Sequence, residues 1–183
     1  MATPSKEEQL LNLILENSPL KQWHFEGFVE QTDMTRAAIN KWLKRYQKEG
    51  LIKRIKEKSK FSYFTSGSNN PVYQSKKRIF MLNKLYESGL INHLLSLQKA
   101  KSIIIFGSIA RGDWYKGSDI DIFIFGDAKG IEKNKYEIKL HRDIELHVFD
   151  SKKEIKAVKT GLINNIINGF IIKGNIQEFA EVG

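Results

Sequence analysis

Two acidic residues, Asp119 and Asp121, lie two positions apart in a stretch of alternating polar and apolar residues at 119–125. This alternation is typical of a β-strand and places both carboxylates on one face. Neighbouring carboxylates repel each other, and a divalent cation removes that repulsion. Mg²⁺ prefers oxygen ligands and is usually held by one or two carboxylates together with substrate phosphates. The pair therefore indicates a site for a metal ion and a phosphate-bearing substrate.

A glycine–serine turn precedes this strand. Residues 103–106 form a short apolar run typical of a buried strand, and Gly107 and Ser108 end it. Glycine lets the backbone approach a bulky ligand, the N–H groups of such a turn can bind phosphate oxygens, and Ser108 adds a hydroxyl donor. Together with the Asp-x-Asp strand, the turn suggests a metal–nucleotide site. The structural alternative is a surface turn beside an acidic strand edge, with no ligand.

The order of these features resembles the signature of a known family. The segments GSIARG at 107–112 and SDIDI at 118–122 are similar to the motif of the DNA polymerase beta nucleotidyltransferase superfamily, and of its minimal nucleotidyltransferases in particular. The resemblance covers about residues 70–174. It implies an NTP, foremost ATP, as substrate and Mg²⁺, or alternatively Mn²⁺, as cofactor. The nucleotide-binding residues it implies are Gly107, Ser108, Arg111 and Ser118.

A third acidic residue is expected on a neighbouring strand. Residues 142–149 alternate between polar and apolar, and Glu145 lies between two apolar neighbours. The superfamily places an acidic residue here, in many relatives Asp, so the resemblance assigns catalysis and metal binding to Asp119, Asp121 and Glu145. Asp143 lies on the same face and is the alternative third carboxylate. The structural alternative for Glu145 is a solvated strand residue.

The resemblance also implies a reaction. A nucleoside monophosphate moves to an acceptor hydroxyl by in-line displacement at the α-phosphate, and pyrophosphate leaves. The sequence does not identify the acceptor. Some minimal members are antitoxins that place AMP on a tyrosine of a HEPN-type toxin, which makes a toxin protein a candidate partner. A homodimer is a second candidate assembly.

Positive charge is concentrated near the N-terminus of the chain. The formal net charge is +9, and residues 36–60 hold ten basic and two acidic side chains, a local charge of +8. Such density predicts a polyanionic partner, and a solvated lysine-rich face is the alternative.

The element order around this basic segment resembles a winged helix-turn-helix. Helices are expected at 7–17, 24–31 and 36–49, followed by a hairpin of strands at 51–56 and 61–65. In winged helices the third helix enters the DNA major groove and the wing contacts phosphates. A protein-interaction or dimerisation module is the alternative. The candidate contacts to double-stranded DNA are Arg36, Asn40, Lys41, Lys44, Lys53, Arg54, Lys58 and Lys60.

Turn-forming residues at 66–71 predict a linker between two domains. We therefore expect an α+β protein of two domains. The first is a winged helix-turn-helix at 1–67, and the second is a small α/β nucleotidyltransferase domain at 70–175 with a short mixed sheet. The last part of the second domain, residues 152–174, is expected to be helical because its apolar residues recur at helical spacing.

Composition excludes several classes of site. The chain has no cysteine, which excludes a disulfide framework, a thiolate zinc site and a cysteine nucleophile. Its four histidines, at 24, 93, 141 and 147, are scattered and predict no ligand cluster. No apolar run approaches the ~20 residues of a membrane span, and the N-terminus lacks a signal-peptide core. The expected localisation is cytoplasmic.

Two alternatives to an enzyme remain. One is a DNA-binding transcriptional regulator whose nucleotidyltransferase-like domain only senses nucleotide. The other is a structural partner module with a relic site, against which the intact Gly107-Ser108 turn and the Asp-x-Asp strand argue.

Overall fold

The computed structural model describes residues 5–180. The chain divides into two compact units, Met1–Phe80 and Met81–Gly183. Residues 1–4 of the predicted first domain lie outside the described residues. The first unit contains α1 (Lys6–Glu16), α2 (Phe25–Gln31), α3 (Arg36–Lys48), β1 (Ile52–Ile55), β2 (Tyr63–Ser66) and the first part of α4 (Pro71–Ser88).

Local sequence signals fix the helix starts of the first unit. Ser5 and Glu8 form a capping box at α1, in which each side chain binds the backbone N–H of the other. Thr35 caps α3 by accepting a hydrogen bond from the N–H of Ala38 at 3.3 Å. The helices bury apolar side chains such as Phe28 and Leu43 in one cluster. The predicted order of three helices and an antiparallel hairpin is present. That order alone does not establish a winged helix, which stays a prediction.

The division between the units falls inside α4 and not at the predicted linker of residues 66–71. The physical reason is burial, because Tyr73 in the first turn of α4 is a buried member of the N-terminal cluster. Lys77, one turn later, is also fully buried. Its Nζ lies 3.1 Å from the carbonyl oxygen of Asn17, which satisfies one of its donors.

The second unit holds the remaining elements. They are the end of α4, α5 (Leu90–Ser96), β3 (Ala100–Phe106), α6 (Gly107–Arg111), β4 (Ile120–Gly126), α7 (Lys133–Leu140), β5 (Ile144–Phe149), α8 (Lys152–Lys156), α9 (Thr160–Ile167), β6 (Phe170–Lys173) and a 3-10 turn at Ile176–Glu178.

A four-stranded mixed sheet forms the centre of this unit, with the strand order β5-β4-β3-β6. β4 and β5 are parallel, and the other two pairs are antiparallel. The apolar residues of β3 and β4, Ile103 and Phe123 among them, are fully buried, as expected for central strands. The expectation of a mixed α and β fold with a small mixed sheet is confirmed.

Residues 152–174 are not entirely helical, so that expectation is wrong. Their last part forms β6, in which Phe170 and Ile171 pair with Ile105 and Ile104 of β3. An apolar stripe does not reveal this, because a short apolar run suits a helix or an edge strand equally. Gly169 permits the pairing, since a Cβ at this position would lie 2.6 Å from the carbonyl oxygen of Ile105.

Among the described residues, 5–180, no helix combines the length and the apolar character that crossing a membrane requires.

Candidate active site

The register of the parallel strands brings two predicted carboxylates together. Asp121 on β4 is paired with Glu145 on β5. Residues paired in this way point to the same face of a sheet. The ligand atoms of Asp121, Glu145 and His147 all lie within 4.8 Å of one another. The predicted third carboxylate therefore lies beside the Asp-x-Asp motif.

The Gly107 turn closes directly onto this group. Phe106, the last residue of β3, is paired with Asp121, and Gly107 follows it with φ +69°. A Cβ at Gly107 would overlap Oδ2 of Asp121 and lie 2.8 Å from its Cγ. Only glycine fits both the backbone conformation and the space. The turn is also the start of α6, where sequence analysis expected no helix.

The other predicted nucleotide-binding residues lie along the segment from 107 to 118. Ser108 is half-buried in the first turn of α6, and Arg111 ends that helix, with its Nε donating to Asp113 Oδ2 at 3.0 Å. The Ser118 hydroxyl accepts a hydrogen bond from the N–H of Tyr115 at 3.0 Å. Ser118 therefore helps to close the loop that leads into Asp119.

Arg142 holds the same loop and was missed by sequence reasoning. Its Nη1 donates to the carbonyl oxygens of Tyr115 at 2.6 Å and Ser118 at 2.7 Å. Its guanidinium lies 4.9 Å from the ring centroid of Trp114, which is fully buried. These contacts anchor the loop immediately before Asp119. No local motif could have revealed them, because the residues are distant in sequence.

Asp119 lies at the edge of the group. It is exposed and precedes β4 by one residue, and it does not belong to the cluster of three ligand atoms. It lines an open cavity of about 420 Å³ together with Asp143, Glu145 and Lys133. Asp143, the alternative third carboxylate, thus faces this cavity, whereas Glu145 belongs both to the cavity and to the cluster around Asp121.

Like charge is concentrated around Asp121. Its half-buried position raises the pKa of its carboxyl above the usual range, and the charges of Glu145 and Asp119 raise it further. His147 and Arg111 act in the opposite direction. The carboxylates therefore sit where a positive charge would stabilise them.

His147 also belongs to the cluster. Sequence analysis dismissed the four histidines as scattered, but His147 Nε2 lies 3.3 Å from Glu145 Oε1. The missed signal was the Glu-x-His spacing, since period two on a strand places both side chains on one face.

The donor set fits a divalent cation. Two carboxylates and one imidazole are all common ligands of such ions. The Asp121 carboxylate packs directly on Gly107, in the position that a Cβ would take, so the glycine allows the turn to approach the carboxylates closely. Asp121 and Glu145 would hold the ion.

The eight predicted DNA-contact residues are all exposed in the first unit. Some of their charge is already paired: Arg36 makes two hydrogen bonds to Glu26, and Lys60 pairs with Glu57. Arg54 donates to the Ser62 hydroxyl, and Lys41 lies 5.0 Å from the Trp42 ring centroid. Within residues 5–180, no acidic side chain pairs with Lys44, Lys53 or Lys58. Asn40 lies on the exposed side of α3.

Comparison with known protein families identifies the domain in which these residues lie. The family model described as a nucleotidyltransferase domain matches residues 88–178, about half of the chain. This segment contains every residue predicted for catalysis, metal binding and nucleotide binding. Residues 88–178 therefore match a nucleotidyltransferase domain, and this match supports the prediction of a transferase.

One similar solved structure is a toxin–antitoxin with AMP-PNP. The identity is 22%, the match covers 52% of this chain and 75% of that chain, and the TM-score is 0.35. A likeness of that size does not establish a common function. No curated protein matches the sequence.

Proposed function

We propose that the protein is a Mg²⁺-dependent nucleotidyltransferase that moves a nucleoside monophosphate from an NTP, foremost ATP, to a hydroxyl acceptor. One observation carries the proposal. Within a segment that matches the nucleotidyltransferase domain, Asp121 and Glu145 are in register on adjacent parallel strands, directly beside the Gly107 turn.

Each residue of the site has a separate role in the proposed reaction. Gly107 and Ser108 bind the triphosphate, and Arg111 steadies a phosphate or the loop. Divalent cations, when bound, neutralise charge on the entering and leaving oxygens. Asp119, Asp121 and Glu145 are the residues that would hold them. Glu145 also accepts the proton of the attacking hydroxyl, because its side chain is 59% exposed and lines the open cavity from which an acceptor can approach.

The acceptor to test first is a protein hydroxyl, such as a tyrosine of a HEPN-type toxin. The support is the resemblance of the 107–122 motif to that of minimal nucleotidyltransferases with antitoxin activity. The open cavity is compatible with a macromolecular acceptor, because Asp119 and Glu145 line it without an enclosing wall.

We further propose that the first unit binds double-stranded DNA. The support is the exposed basic surface on α3 and the hairpin, in which Lys44, Lys53 and Lys58 have no acidic partner among the described residues. Binding of such lysines to DNA phosphates is favourable because it releases the counterions condensed on the DNA.

The transfer reaction can be tested while the acceptor is still unidentified. Protein, Mg²⁺ and α-labelled NTPs are incubated with cell lysate. Label should enter a macromolecule and pyrophosphate should be released, whereas γ-label should not transfer. Asp121→Asn should lower the rate by ~10²-fold or more, and Ser108→Ala should act more weakly, through nucleotide binding. Asp127→Asn, one residue after the far end of β4, is the matched control and should keep the rate.

A different result would favour the regulator. If the wild-type protein labels nothing with any of the four NTPs, yet binds ATP with Mg²⁺ and thereby changes its DNA affinity, the nucleotide-sensing regulator replaces the enzyme.

A further inference from the structure

His147 is placed to be more than a neighbour of the carboxylates. It lies two residues after Glu145 on β5 and is paired with Phe123 of β4. Its side chain is only 20% exposed, and its ring packs 5.2 Å from that of Phe106, the residue before the Gly107 turn. The imidazole is therefore held at the carboxylate cluster by packing and not free in solvent.

The spacing of the three ligand atoms matches that of groups that share one ion. Ligands at about 2.0–2.2 Å from a common ion, at angles of 90° to 180°, lie roughly 2.8–4.4 Å from each other. His147 Nε2 is 3.3 Å from Glu145 Oε1, and one ligand atom from each of Asp121, Glu145 and His147 lies within 4.8 Å of the other two.

We propose that His147 supplies a nitrogen ligand to the cation held by Asp121 and Glu145, so that this site prefers Mn²⁺ to Mg²⁺. The inference rests on the proposed function, since it concerns the metal of the same site. Mg²⁺ takes oxygen ligands almost exclusively, whereas first-row transition metals also accept imidazole. Mn²⁺ combines that tolerance with a preference for carboxylates, which provide the other two ligands here.

Mn²⁺ itself is the probe, because its electron spin reports its ligands. Full-length protein is titrated with Mn²⁺ at about pH 7.5, where free imidazole is neutral, and free Mn²⁺ is measured by electron paramagnetic resonance. Electron spin echo modulation of the bound ion then detects a directly coordinated ¹⁴N nucleus. Mg²⁺ affinity is obtained by competition. His147→Asn removes the ring nitrogen, and His24→Asn, at an exposed histidine of the first unit, is the matched control.

The wild-type protein and His24→Asn should bind Mn²⁺ about tenfold or more tightly than Mg²⁺ and show ¹⁴N modulation. His147→Asn should lose the modulation and about tenfold or more of its Mn²⁺ affinity, while its Mg²⁺ affinity changes little. Retained Mg²⁺ affinity also shows that the variant is folded. Mn²⁺ bound without ¹⁴N modulation, equal losses for both ions, or no Mn²⁺ binding at all would each overturn the proposal.

Failure of this inference is distinguishable from failure of the proposed function. If α-label is transferred with Mg²⁺ but no ¹⁴N modulation is seen, the transferase activity is supported and the His147 ligand is rejected. If ¹⁴N modulation is seen and disappears in His147→Asn, but no acceptor is labelled, the His147 ligand is supported and the transferase activity is rejected.

Discussion

Gly107→Ala tests the link between the turn and the carboxylates. In the structure, the new Cβ would overlap Asp121 Oδ2 and lie 2.8 Å from Asp121 Cγ. Carbon atoms in contact are about 3.5 Å apart, so the turn and Asp121 must separate by roughly 0.7 Å or more. The backbone at φ +69° adds a second penalty, about 1–2 kcal/mol for a residue with a side chain. We expect lower stability and a displaced carboxylate.

Gly89→Ala separates these two effects. Gly89 has φ +86°, so alanine there carries a comparable backbone penalty, but a Cβ at Gly89 would meet nothing within 4 Å. Gly89→Ala should melt lower than wild type by about 5–15 °C, the shift expected for 1–2 kcal/mol in a unit of this size, and Gly107→Ala should melt lower still because of its overlap with Asp121. Only Gly107→Ala should disturb Asp121.

The assay is the gain in melting temperature on adding Mg²⁺ and a non-hydrolysable NTP analogue. Binding to the native state alone stabilises it by about 2.7 kcal/mol when the ligand is at a hundredfold excess over Kd. Wild type and Gly89→Ala should show the same gain, and Gly107→Ala should show little or none. The transfer rate of Gly107→Ala should also fall by ~10²-fold, the cost of misplacing a reacting group by about 1 Å. An equal gain in both glycine variants would refute the placement of the nucleotide at this turn.

Two further predictions concern charge. The raised pKa of Asp121 means that its ionisation weakens the metal-free fold as pH rises from the ordinary carboxyl value through the raised one. Without metal, Asp121→Asn should therefore melt above wild type at neutral pH, the difference should vanish in acid, and a constant difference would contradict the assignment. For the first unit, fluorescence anisotropy with duplex DNA should give a log–log salt slope of about −3 to −6. Lys41→Ala and Lys44→Ala should each make the slope shallower by about one. Lys153→Ala, in the second unit, is the control and should leave the slope unchanged. A slope of zero for the wild-type protein would exclude DNA binding by this basic surface.

The chemistry-bearing motifs could be predicted because their signals are local. Gly107-Ser108 and the Asp-x-Asp strand are short segments. Their residue types and their alternation of polar and apolar residues predict their conformation directly. The role of Glu145 could be predicted only from the family resemblance. The residue pattern predicts its strand, but it does not predict that this strand lies beside the one that carries Asp121. The pairing of Asp121 with Glu145 depends on the strand register, which only the folded sheet determines.

The failures arise where distant parts of the chain decide the structure. β6 is a strand because the edge of β3 is available to pair with it. The apolar residues of β6 do not by themselves indicate that such an edge is present. The boundary between the compact units lies within α4 because Tyr73 finds its packing partners in the N-terminal cluster. His147 was overlooked because histidines were compared with each other along the chain, and its actual neighbours are carboxylates.

The position of Asp121 argues against an acidic strand edge without a ligand. A carboxylate with no partner is most stable in open water, yet Asp121 is half-buried beside Glu145 and its pKa is raised. This arrangement costs the metal-free fold free energy, because burial and the neighbouring negative charge both disfavour the ionised carboxyl. A cation beside Asp121 and Glu145 removes the repulsion between their carboxylates. The gain in melting temperature with metal and nucleotide therefore distinguishes a metal–nucleotide site from an acidic strand edge without a ligand. A strand edge that binds no ligand would show no such gain.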